Sequence, residues 1–102
     1  MMDRKMLKQL EDMQRKMAKA QDDLANETVS ASAGGGAVTV EMNGHHLVTA
    51  VTIDPDAIDP DDVETLQDMV LTAFNAALDK AQEMAQQKMS AITGGLNVPG
   101  LF

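Results

Sequence analysis

The chain has 102 residues and no cysteine, tryptophan or tyrosine, and its only aromatic side chains are Phe74 and Phe102. Absent cysteine excludes disulfides and thiolate metal sites and fits a reducing compartment, so the cytoplasm is the expected location. With so few rings, any core is built from Val, Leu, Ile, Ala and the nine methionines, whose soft side chains fill irregular space. No stretch approaches the roughly 18 apolar residues of a membrane span, and MMDRKMLKQLEDMQRKM is too charged for a signal-peptide core. A soluble protein is expected, with one small domain over residues 1–93 and an apolar tail over 94–102. A chain this size buries only about two-thirds of its unfolded surface, which favours sharing apolar faces with a second copy.

Cations are also scarce. Eight Lys and Arg face sixteen Asp and Glu, for a net charge of −8. The imbalance is local: residues 1–20 hold six of the eight cations against Asp3, Glu11 and Asp12, giving +3, and residues 21–102 carry −11. The overall sign is wrong for a nucleic-acid binder and the local sign is right.

What is present organises around AVTVEMNGHHLVTAVTI, residues 37–53. Asn43-Gly44 between alternating apolar runs predicts a hairpin with a two-residue turn. Met42 then faces His45, Val40 faces Leu47 and Val38 faces Thr49, with Val38, Val40, Met42, Leu47, Val51 and Ile53 sharing one face. Thr28 to Ala33 alternates small and β-branched residues and reads as a strand beside the hairpin. Gly34-Gly35-Gly36 reads as a turn; a phosphate-cradling loop would need GxGxxG or GxxxxGK[ST] ahead of a helix, and neither is there.

Arg4 to about Asn26 has no Gly or Pro and is rich in helix formers. Met6, Leu10, Met13, Met17, Ala20 and Leu24 recur at alternating spacings of 4 and 3, a coiled-coil-like packing seam. At 100° per residue the seam spans about 160° to 240°, whereas Arg4, Lys5, Lys8, Arg15, Lys16 and Lys19 fall between about 0° and 120°. They form a positive stripe on the side away from the seam. The plainer reading is a solvated face tied by local pairs such as Lys8 with Asp12 and Glu11 with Arg15.

A second helix is expected from Pro60 to about Ile92, with Asp59 as its cap and Gly94-Gly95 as its stop. Val63, Leu66, Val70, Ala73, Phe74, Ala77 and Ala81 lie on one face that should cover the hairpin, with Phe74 as anchor. Lys88 shares the meridian of Val70 and Ala77, which implies that the helix outruns the core there. The acidic run DPDAIDPDDVE fails the EF-hand pattern, since Ile58 and Asp59 occupy the positions where a ligand and glycine are needed. The tail GGLNVPGLF sets Leu96, Val98, Leu101 and Phe102 close together; fraying and docking in a groove of the same dimer or another protein are both open.

Chemistry is hard to find. His45 and His46 are strand neighbours and point to opposite faces, so no metal site is expected. Ser30, Ser32 and Ser90 sit in no nucleophile motif, and no cofactor pocket is evident, so the chain is read as not an enzyme.

MLKQLEDMQRKMAKAQDDLA, GGGAVTVEMNG, VTIDP, LQDMVLTAFNAALDKAQE and GGLNVPGLF, in that order, resemble the YbaB/EbfC family of bacterial nucleoid-associated proteins over nearly the whole chain. The resemblance implies an α+β, α-β-β-β-α protomer with a three-stranded antiparallel sheet, two long helices and a tweezer-like homodimer. It implies binding of double-stranded DNA in the nucleoid by phosphate contacts, with weak sequence specificity. On that carry-over the contacts fall on Arg4, Lys5, Lys8, Arg15, Lys16, Lys19, Lys80 and Lys88. The apolar spacing described above gives Met6, Leu10, Met13, Met17, Val40, Leu47, Val51 and Phe74 as core or dimer residues. The second helix departs from the family in having only Lys80 and Lys88 as cations. The alternative is an acidic homodimeric module that holds a protein partner from DNA replication or repair.

Overall fold

The computed structural model describes residues 3–94. Asp3 opens the first helix, its carboxylate accepting the N–H of Met6 at 2.7 Å, and α1 runs Arg4–Asn26 as the sequence predicts. Three strands follow, β1 (Thr28–Ala33), β2 (Val38–Asn43) and β3 (Val48–Ile53), antiparallel and in sequence order. A short 3-10 turn, Pro55–Ala57, leads to α2, Val63–Thr93. The apolar tail expected over 94–102 falls outside the described residues after Gly94.

The acidic connection is spent on backbone turns. Asp54 and Asp59 accept the N–H groups of Asp56 and Asp61, and the cap of α2 is Asp62, which accepts the Thr65 N–H at 3.3 Å and its hydroxyl at 2.6 Å. The helix thus starts about one turn later than the Asp59-Pro60 signal suggests, because Asp59 is used one step earlier to close a turn on Asp62.

Between β1 and β2 the glycine triplet turns the chain with all three residues at positive φ. The hairpin of β2 and β3 differs from its expected form. Val38 pairs with Ile53, Val40 with Val51 and Met42 with Val48, after a bulge beside Glu41 and Met42. The loop holds three residues: His46 donates to the Asn43 carbonyl and takes a positive φ of 65°, the pattern of a turn followed by a left-handed residue and a bulge. Leu47 consequently does not join the apolar face and is 63% exposed; Val48 takes that place.

Gly44 explains the change. Its φ is not positive; what the position demands is the missing side chain, because a Cβ there would run into the Leu24 side chain and carbonyl. The Gly44 N–H instead reaches the carbonyls of Leu24 at 2.8 Å and Glu27 at 3.1 Å, pinning the hairpin to the end of α1.

α2 packs on β1 and β2 and barely reaches β3. The core between them is small: Ala31, Val38, Val40 and Met42 from the sheet, and Ala73, Ala77 and Ala81 from the helix. Alanine lets the helix lie close to the strands. Phe74, the expected anchor, is not in this core; it stands at its edge with 37% of its surface exposed, and Val63 is exposed as well.

Candidate nucleic-acid interface

α1 is held at its C-terminal half and open toward its start. Ala20 and Leu24 are buried, Met13 and Met17 are half-buried, and Met6, Leu7 and Leu10 are exposed. The seam is therefore covered only toward its C-terminal end, by α2 and β2. The molecule is drawn out accordingly, with extents of 70 × 25 × 17 Å.

All six cations of the predicted stripe are exposed. Arg15 pairs with Asp12 and Lys19 with Asp23 at 3.2 Å, yet their side chains remain 73% and 78% exposed. The local pairs thus run Asp12–Arg15 and Lys19–Asp23, not Lys8–Asp12 and Glu11–Arg15. Arg4, Lys5, Lys8 and Lys16 have no acidic partner among the described residues. Exposed pairs of this kind are worth under about 1 kcal/mol, so an incoming anion displaces them at little cost.

The two cations of α2 sit differently. Lys80 donates to the Ser30 carbonyl at 2.8 Å, a contact from the helix onto the edge of β1. Lys88 is only 22% exposed and bridges to α1 and the residue after it, 2.6 Å from Glu27 and 4.0 Å from Asp23. At this point α2 has left the sheet and gained α1 as a neighbour, so Lys88 lies on a packed face and not on one that has run into solvent. Lys16, Lys19, Ala20, Asp23, Lys88, Ala91 and Ile92 enclose an open hollow of about 420 Å³ between the two helices.

The root of α1 is tied to the hairpin by side chains that the sequence reading passed over. Asn43 is buried; its amide oxygen accepts from the His45 and Leu47 N–H groups and its amide nitrogen donates to the Ala25 carbonyl. The His45 ring lies 2.7 Å from the Gln21 carbonyl. The only available signal was Asn43-Gly44 itself, read as a turn and not as a joint. Among the described residues there is no group of three or more His, Asp or Glu arranged for a metal ion, and no helix is long and apolar enough to cross a membrane.

A second surface lies on the other side of α2. Val40, Val48 and Val51 of the sheet and Leu66, Val70, Leu71 and Phe74 of the helix line an open, almost wholly apolar groove of about 430 Å³. Val51 and Leu71 are each more than half exposed. Of the expected core or dimer residues, Val40 is thus buried, Val51 and Phe74 line this groove, and Leu47 stands apart.

Comparison with known proteins agrees over the full length of this fold. The profile of the YbaB/EbfC DNA-binding family matches residues 1–96. A nucleoid-associated protein of Pelotomaculum thermopropionicum is 52% identical, with 96% of this chain and 93% of that protein covered. Another from Chloroflexus aurantiacus is 50% identical over 97% of both. A crystal structure of an uncharacterized protein from Helicobacter pylori has the same fold, with a TM-score of 0.76 over 92% of this chain and 100% of that one, at 23% identity.

Proposed function

Because the chain belongs to the YbaB/EbfC DNA-binding family, we propose that it is a nucleoid-associated protein that binds double-stranded DNA as a homodimer, through phosphate contacts from the basic stripe of α1. The observation that carries this reading is the exposure of Arg4, Lys5, Lys8, Arg15, Lys16 and Lys19 along one helix, in a protein whose remainder is strongly acidic. Charges on a rod neutralise phosphates and release counterions without reading bases, so binding has little sequence specificity and depends steeply on salt. Lys80, on the β1 side of α2, adds one cation apart from the stripe. Lys88, held by Glu27 and Asp23, contributes chiefly by fixing how α1 stands against α2.

The apolar groove supports the homodimer. A thin core of alanines and valines leaves larger side chains, Leu71 and Phe74 among them, in water. Covering them with the same surface of a second copy removes them from solvent and presents two basic stripes together. Duplex binding followed by fluorescence anisotropy tests the reading. Affinity is expected to fall with a slope of several counterions as salt rises, and to be lost in the triple variant Arg15→Glu, Lys16→Glu, Lys19→Glu. No binding at low salt, or an unaltered triple variant, would favour the acidic interaction module instead.

A further inference from the structure

Asn43 and Gly44 make the joint between α1 and the hairpin, and an asparagine followed by glycine is also the pair most prone to ring closure, since glycine has no side chain to hinder its nitrogen. In that reaction the Gly44 nitrogen attacks the Asn43 side-chain carbonyl carbon. The side-chain nitrogen leaves with the Gly44 proton as ammonia, and a five-membered succinimide remains. Water then opens the ring at either carbonyl, giving aspartate or isoaspartate. Two things are needed: a Gly44 N–H within reach of solvent base, and an Asn43 side chain free to swing onto the nitrogen.

The fold withholds both. Gly44 is buried, and its N–H is spent between the carbonyls of Leu24 at 2.8 Å and Glu27 at 3.1 Å. Asn43 is buried as well. Its Oδ1 accepts the His45 N–H at 2.9 Å and the Leu47 N–H at 3.1 Å, and its Nδ2 donates to the Ala25 carbonyl at 3.3 Å. Three of these five bonds run to Leu24, Ala25 and Glu27, so they exist only while the end of α1 is seated on the hairpin.

We propose that Asn43 is a deamidation site controlled by the seating of α1: protected while the joint is made, and open to ring closure whenever the end of α1 lifts from the hairpin. The change runs one way. An aspartate at this position has no N–H for the Ala25 carbonyl and sets a carboxylate oxygen against it. Isoaspartate lengthens the main chain by one carbon in the loop that fixes the pairing of β2 with β3. Each event therefore leaves a chain whose α1, with its basic stripe, is less firmly rooted.

Full-length protein held at mildly alkaline pH tests this, with conversion at Asn43 followed by peptide mapping and by released ammonia. The folded wild type is expected to convert far more slowly than the same chain in urea. Leu24→Ala withdraws the side chain that Gly44 lies against and should convert several-fold faster than wild type without urea, because the reaction draws on the locally opened population. Circular dichroism checks that the variant is folded. Should it unfold, Lys88→Gln carries the same expectation, since it removes the pair between α2 and Glu27 without touching the buried core. Hydrogen exchange at the Gly44 N–H should rise in step with conversion. Wild-type protein that converts as fast folded as in urea would overturn the proposal, and so would a wild-type rate in the folded variant.

Discussion

The two sides of α2 invert the usual relation between size and burial. Toward β1 and β2 the helix presents Ala73, Ala77 and Ala81, all fully buried; toward β3 it presents Leu66, Val70, Leu71 and Phe74, which remain partly or largely in water. Small residues let the helix settle close to the strands, so the fully buried layer is made by alanines, with Leu66 and Val70 only partly buried against it. The large side chains are then left on an open apolar surface.

The strongest way to break this contrast is to enlarge the buried side. Ala77→Leu forces three more carbon atoms into a packed core, and a loss of up to about 3 kcal/mol is expected in denaturant unfolding, since overpacking strains both helix and sheet. An unchanged midpoint would mean that the close approach of α2 is not tight. Next comes the open side. Phe74→Asp should keep the protomer's circular dichroism and weaken dimerisation by about a hundredfold in sedimentation, which is roughly 2.7 kcal/mol; an unaltered association would remove the groove from the interface. The smallest effect sharpens the distinction. Val63 is exposed but does not line the groove, so Val63→Thr should shift stability by less than about 0.5 kcal/mol and leave the oligomeric state alone.

Much of the architecture was legible in the residues. The uninterrupted helix formers of α1, the alternation of Thr28 to Ala33 and the glycine triplet each act through local physics, and each forms the expected element. The hairpin register was not, because Asn43-Gly44 answers to a distant demand: Gly44 must approach Leu24, some twenty residues earlier, and the loop lengthens to allow it. Phe74 was misplaced for a related reason. Periodicity says that a face is apolar, not whether the same chain covers it.

The basic stripe was visible because helical angle alone separates it from the seam. Its neighbours were less so. The pairing of Lys88 with Glu27 spans 61 residues, and no local spacing rule reaches that far. Lys88 looked misplaced on an apolar meridian only while α1 was missing from the picture.

The bulge beside Met42 sets the parity of β3. Because a strand alternates sides every residue, losing one position between Gly44 and Thr49 would swap Val48 with its hydroxyl-bearing neighbour and put Thr49 against Met42. Insertions and deletions there change which chemistry faces the groove. At the glycine triplet the constraint is of another kind: Gly35 and Gly36 have open space where a side chain would begin, and it is their positive φ that keeps the turn to glycine.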